Sequence, residues 1–187
     1  MRQQETLSPL ASLHRLVWIA MCAALITVGA YIHFPLGPVP ICLESLFVQL
    51  AGFLLGPLAG ASSVALYLLA GLVGLPVFAG GTSGLGHILG PTGGYLIGFL
   101  ATPLITGQAR RVAREGHLSW GWGVGLALVG LVPNYGVGVP WLRSVLDVGW
   151  SEALATGMYP FLVPDIVKSV AAAAAARFVY QRGQGWI

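Results

Sequence analysis

The chain has 187 residues, of which 56% are hydrophobic and only 8% are charged. Soluble domains carry about 25% charged residues, so this composition excludes a water-covered globule and indicates an integral membrane protein. A net charge of +3 is too small and too scattered for a nucleic-acid surface. The cysteines, Cys22 and Cys42, lie in or near apolar stretches without CxxC spacing, which excludes a disulfide framework.

The polar start MRQQETLSPLASLHR lacks the pattern of a cleavable signal peptide, so the first span reads as an uncleaved anchor. A membrane crossing needs about 20 mostly apolar residues. The first predicted span covers 16–34. The apolar block 41–75 is 35 residues long, too long for one crossing, and Gly56-Pro57 breaks it into spans over 41–55 and 58–75. Further spans are predicted over 92–106, 120–139 and 159–179. Six spans in one membrane domain over 1–187 give an all-α fold.

Arginine positions orient these spans, because cytoplasmic loops are enriched in Lys and Arg. Six spans place Arg2, Arg15, Arg110, Arg111, Arg114, Arg177 and Arg182 on one side and only Arg143 on the other. Both termini are then cytoplasmic, and the loops around Gly37, Gly81 and Asp147 face outward. Five spans would divide the same residues without this bias.

Small residues recur at four-residue spacing: Ala20 and Ala24; Gly56 and Gly60; Gly90, Gly94 and Gly98; Gly121 and Gly125. Such positions let helices approach closely. They serve either internal packing or the docking of another membrane subunit.

Between the third and fourth spans the chain reads GLVGLPVFAGGTSGLGHILGPTGG, glycine-rich and without Asp, Glu, Lys or Arg. Irregular backbone at membrane depth is tolerated where it lines a cavity, so this loop is a candidate lid over an outward pocket. It contains no phosphate-loop pattern. Among polar residues in apolar stretches, Glu44 suits either a pocket wall or a solvated helix end. Gln49, Asn134 and Tyr135 are further candidates, and the Asn134 amide both donates and accepts. His14, His33 and His117 have no ligand-spaced partners, and no catalytic or metal-binding arrangement is legible.

The last span, YPFLVPDIVKSVAAAAAARFV, contains Asp165 and Lys168. A charge near mid-bilayer costs roughly 3 kcal/mol on insertion scales. The i, i+3 spacing puts acid and base on one helical face, either as a structural pair or as ligand-binding groups. Pro160 and Pro164 suggest a regular helix beginning close to Asp165.

Several stretches resemble the BioY family, the biotin-binding S-components of energy-coupling-factor transporters. They are PVPICLESLFVQLAGFLLGPLAG (38–60), GLVGLPVFAGGTSGLGHILGPTGGYLIGF (71–99), GVPWL (138–142) and YPFLVPDIVKSVAAAA (159–174). The resemblance implies six helices and biotin bound from outside. It also implies partners: a membrane scaffold subunit with two ATP-binding cassette subunits, in a prokaryotic cell membrane with its lipid. Biotin is then cargo, and no cofactor is expected. Asp165 and Lys168 match the family's acid and lysine at the head group. The loop that closes over the ligand matches Ala79, Gly80, Gly81, Thr82, Ser83 and Gly84. Ala20 and Ala24 match the scaffold-docking motif, while Asn134 and Tyr135 lie where the fifth helix approaches the pocket. Tyr95 is an aromatic candidate for covering the ring.

Two departures stand out: Cys42-Leu43-Glu44 replaces Thr-Leu-Gln, and Val163-Pro164-Asp165 replaces Pro-Gly-Asp. In the binding scheme that follows, Asp165 accepts a ureido N–H of biotin and Lys168 donates to its carbonyl or neutralises Asp165. Loop N–H groups hold the tail carboxylate. No bond is made or broken, so the chain is not an enzyme. The competing classes are a self-sufficient proton-coupled carrier using Asp165 or Glu44, and a lipid-modifying membrane enzyme. The cytoplasmic loop holds only Glu115 as an acid, which opposes the enzyme.

Overall fold

The computed structural model describes residues 9–113 and 117–182. Arg2, Arg114 and Glu115 lie outside the described residues. The first helix, α1, runs Pro9–Tyr31, 23 residues, or about 35 Å at 1.5 Å per residue. It does not continue to the predicted end at 34, because His33–Phe34 (β1) turns into a ribbon with Ile41–Cys42 (β2). These strands pair antiparallel, His33 opposite Cys42. Pro35, Pro38 and Pro40, with Gly37 at φ 65°, prevent helix between them.

Helix α2 spans Glu44–Leu55 and α3 spans Pro57–Leu72. Gly56 (φ 84°) makes the left-handed break, and Pro57 fits the first turn of α3 because its missing N–H would have no helical partner there. The Gly-Pro boundary is therefore where the sequence places it. A 3-10 turn at Ala79–Gly81 follows, then α4 (Leu85–Ile88), α5 (Gly93–Gly98), α6 (Thr102–Thr106) and α7 (Ala109–Val112).

The predicted span 92–106 is thus not one regular helix. Pro103 cannot donate to the carbonyl four residues earlier, and the chain tightens there. Leu100 and Ala101 donate to Ile97 and Gly98 carbonyls three residues back. Helices α8 (Trp120–Val129) and α9 (Leu131–Leu146) join at Gly130, ahead of Pro133, for the same reason. A further helix, α10 (Trp150–Gly157), precedes α11 (Tyr159–Gln181).

Helix α11 corrects one expectation. It starts at Tyr159, a turn and a half before Asp165, because Pro160 is accommodated in the first turn. Pro164 then sits within the helix. Among the described residues, two apolar helical stretches, Ser12–Tyr31 and Trp120–Leu146, are long enough to cross a membrane; Glu44–Leu55 and Pro57–Leu72 are shorter apolar helices.

Helix α2 packs against α1, α3, α6 and α11, and α5 packs along α9. Glycine sets these approaches. A Cβ on Gly60 would sit 2.8 Å from Gly52 Cα, and one on Gly98 would sit 2.8 Å from Asn134 Cα. These members of the small-residue series serve internal packing. Ala20 and Ala24 are exposed instead.

One cluster gathers Ile26, Val48, Tyr67, Phe78 and Leu96; a second gathers Tyr95, Tyr135, Leu142 and Phe161. Phe78 ties the glycine-rich loop into the first. It is fully buried, edge-on to Tyr67 at 5.4 Å and stacked on His87 at 5.0 Å. Phe→Ala in a core costs about 3–5 kcal/mol. Phe78→Ala is therefore expected to lower the melting temperature of the detergent-solubilised protein by several degrees and to expose the loop to protease first. Unchanged melting and cleavage would show that the loop does not depend on this anchor.

Candidate functional site

A cleft opens between these two clusters and is lined from both. Helix α11 contributes Phe161, Asp165 and Lys168; α9 contributes Asn134 and Tyr135; α2 contributes Glu44 and Ser45. The ribbon brings Cys42, α5 brings Tyr95, and the loop brings Ala79 and His87. The i, i+3 pair on α11 thus shares its cleft with residues about 120 positions earlier. The α2 face is aligned by the same periodicity: Ser45 reaches Asp165, and Gln49, one turn on, reaches Ser169.

Asp165 and Lys168 are 4% and 7% exposed, and their charged atoms are 2.5 Å apart. Lys168 Nζ also donates to the Cys42 carbonyl at 2.9 Å. The Asp165 carboxylate accepts from Ser45 Oγ at 3.3 Å and from the Tyr135 hydroxyl. Burying two ions is costly unless they are paired and further hydrogen-bonded, and these donors meet that requirement.

Glu44 is buried rather than solvated. Its Oε2 accepts from the Cys42 thiol at 3.4 Å, and Oε1 has no hydrogen-bond partner. Asn134 Oδ1 is likewise buried and unpartnered. Tyr95 donates to the Gly157 carbonyl at 2.7 Å and sets its ring edge-on to Tyr135, giving one wall an aromatic face. Gln49 is fully buried, and its amide donates to Ser169 Oγ at 3.0 Å, away from the cleft lining.

The loop residues divide. Ala79 lines the cleft, whereas Gly80, Gly81, Thr82, Ser83 and Gly84 do not. Gly80, Gly81 and Gly84 have φ of 70°, 72° and 87°, so they shape the loop rather than its inner wall. Thr82 Oγ1 donates to the Ala79 carbonyl and lies 3.0 Å from His87 Nδ1, while His87 Nε2 lies 3.3 Å from Thr92 Oγ1. His87 so links the loop to the start of α5. Burial pushes its pKa below the ordinary histidine value, favouring the neutral ring.

Sequence reasoning missed Cys42, Ser45, His87, Thr92 and Phe161 as cleft-lining residues. Phe161 was within reach, one turn before Asp165 on the same face. His87 and Thr92 carry no periodic signal, because the loop between them is irregular. Cys22 and Cys42 are free thiols. Among the described residues no group of His, Cys, Asp and Glu could hold a metal.

The BioY family model matches residues 1–184. A Pyrococcus horikoshii protein named "Probable biotin transporter BioY" is 43% identical over 167 residues, covering 89% of this chain and 94% of that one. The biotin transporter BioY of Thermotoga maritima is 39% identical over 162 residues, covering 86% and 92%. A crystal structure at 2.1 Å of the S-component for biotin from an ECF-type ABC transporter superposes with a TM-score of 0.84 at 28% identity, covering 95% of this chain and 96% of that one. With nearly the whole length matched in sequence and in fold, the chain belongs to the BioY family.

Proposed function

We propose that this chain is the biotin-binding S-component of an energy-coupling-factor transporter. The observation that carries this reading is the buried Asp165–Lys168 pair, set in a cleft with unpartnered acceptors and an aromatic wall. Biotin's ureido ring has two N–H donors and one carbonyl acceptor beside an apolar sulfur ring. It matches that mixture of polar floor and aromatic cover. Names and fold of the relatives support the same ligand. The family is one of transporters, so the chain is not an enzyme, and biotin is its cargo rather than a cofactor.

In this reading the chain is a single domain of six spans in a prokaryotic cytoplasmic membrane, with both termini inside. The bias of arginines to one side supports that orientation. Biotin enters from outside, and the loop around Ala79–Gly81 covers it. The neutral φ-positive glycines and the His87 link position that cover. Uptake is driven by a membrane scaffold subunit with two ATP-binding cassette subunits.

Equilibrium binding of labelled biotin to the purified chain tests the ligand. Saturable binding that other vitamins do not displace is expected, with dethiobiotin as a weaker competitor because it lacks the sulfur ring. Absence of binding by folded protein refutes the reading. The exposed Ala20 and Ala24 on α1 are the proposed scaffold-docking face, because small side chains permit close helix approach. Ala20→Leu with Ala24→Leu should leave biotin affinity within about twofold. It should also reduce ATP-dependent uptake by the assembled transporter at least tenfold, reflecting lost packing of a few kcal/mol. Unimpaired uptake would place docking elsewhere.

A further inference from the structure

Trp141 lies on α9, in the GVPWL stretch, and lines no part of the cleft. Its indole Nε1–H nonetheless reaches out of its own helix. It donates to the Gly90 carbonyl, 51 positions earlier, at 3.0 Å. That carbonyl also accepts the Gly93 N–H at 3.1 Å, so both of its lone pairs are used. The half-buried indole is thus tied to the turn between α4 and α5.

What flanks this turn gives the tie its importance. His87, on α4, precedes the turn, and Thr92 closes it. Both line the cleft, and their side chains lie 3.3 Å apart. The turn is tightly folded against α9. A Cβ on Gly93 would sit 1.7 Å from the Ile88 carbonyl oxygen, and one on Gly94 would sit 2.3 Å from Trp141 Cβ. Upstream, the loop is held to α3 instead: Phe78 is fully buried beside Tyr67, and the Gly84 N–H donates to the Gly71 carbonyl at 2.7 Å. Trp141 fastens the segment 85–92 on the opposite side. Without the indole N–H, the Gly90 carbonyl keeps its bond to Gly93 but loses its tie to α9. The turn is then free to lift, with His87 and Thr92 on it.

We infer that Trp141 is a positioning residue for the outer cover of the cleft. It holds the α4–α5 turn down on α9, keeps His87 and Thr92 against the ligand, and so sets how long biotin stays bound. This rests on the biotin reading above and adds to it the fastening of the loop. A tie that exists only in the closed arrangement acts after the ligand has entered. Its loss therefore falls on dissociation rather than on association.

The test compares wild type with Trp141→Phe and with a chain carrying 3-benzothienylalanine at position 141, in which sulfur replaces the ring N–H. Phenylalanine keeps Cβ and Cγ, the two Trp141 atoms nearest Gly94, so the close approach of α5 and α9 is retained. The benzothienyl ring keeps the whole indole shape and covers the case in which Trp141→Phe folds poorly. Association and dissociation of labelled biotin are measured separately on the purified full chain. In both variants dissociation should accelerate roughly 3–10-fold, the size of one neutral hydrogen bond, with association within about twofold of wild type. Unchanged dissociation in the benzothienyl chain overturns the role. So does a fall in melting temperature with no change in dissociation, which would make Trp141 a packing residue only.

Hydrogen exchange on the unliganded protein tests the fastening without biotin. Backbone amides of 85–92 should exchange faster in both variants than in wild type, while those of α9 keep their protection. Equal exchange in that segment overturns the tie. Folded wild type that binds no biotin overturns the biotin reading and the residence-time role with it, and the exchange result then decides the fastening by itself.

Discussion

Lys168→Met is expected to bind biotin at least about 100-fold more weakly than wild type, measured by equilibrium binding to purified, folded protein. Removing the ammonium leaves the Asp165 carboxylate buried at 4% exposure with only two hydroxyl donors, from Ser45 and Tyr135. Breaking a buried pair by deleting one partner costs about 3–5 kcal/mol, and each 1.4 kcal/mol is tenfold in affinity. Part of that cost falls on the unliganded protein, so the melting temperature should fall too. Adding biotin should then stabilise the variant less than it stabilises wild type. Asp165→Asn should also lower the melting temperature, because it leaves the Lys168 ammonium buried without its counter-charge, and its single amide oxygen can replace only the contacts to Lys168 and Ser45. It should still weaken binding, through the altered position of Lys168. Wild-type affinity in folded Lys168→Met would remove the pair from the site.

The second large effect is expected far from any charge. Gly98→Leu should lower both the melting temperature and biotin affinity, the latter by more than about thirtyfold. A Cβ at this position would lie 2.8 Å from Asn134 Cα and 2.8 Å from the Pro133 carbonyl oxygen. Both are backbone atoms, so no flexible side chain can yield, and α9 must move away from α5. Overpacking of this kind costs about 1–3 kcal/mol and occasionally more. The movement carries Asn134 and Tyr135 off the cleft, and with them one donor to Asp165. Gly98→Ala tests the balance. Alanine gains about 1 kcal/mol of helix propensity over glycine, yet it meets the same two backbone atoms, so net destabilisation is expected. Full affinity in Gly98→Leu would mean that the α5–α9 contact does not position the site.

The two predictions differ in how far the sequence foreshadows them. The Asp165–Lys168 pair is legible because an acid and a base three residues apart inside an apolar run stand out against their surroundings. The glycine series at 90, 94 and 98 is legible as close packing, yet nothing in it names Asn134 as the neighbour. That contact joins residues 36 positions apart, and sequence periodicity describes one helix at a time. Glu44 shows the same limit. Beside a Pro-rich turn it reads equally as a pocket wall or a solvated helix end. Its burial follows from α1, α3 and α11 closing around the start of α2.

Element boundaries follow a similar division. Gly56-Pro57 is read correctly because backbone chemistry at a single dipeptide decides it. The span predicted over 92–106 emerges as α5 and α6, since hydropathy measures apolar content and does not register what Pro103 does to carbonyls upstream. The last span starts at Tyr159 as predicted, but its regular helix, expected to begin close to Asp165, also begins there, for the converse reason. Pro160 is a breaker in a helix interior but an ordinary first-turn residue, and which of these applies depends on where the preceding helix, α10, ends.

By itself, the sequence determined the class of environment and the family, through apolar composition and specific motifs, and it named the ionic pair. Local covalent chemistry and burial cost suffice for those conclusions. Only the tertiary structure decided how the polar groups divide their hydrogen bonds: Asp165 engaged by Lys168, Ser45 and Tyr135, and the Asn134 oxygen left without a partner. The physical reason is that hydrogen-bond satisfaction is a property of three-dimensional neighbours. Residues 45, 134 and 165 become neighbours only when α2, α9 and α11 pack around one cleft.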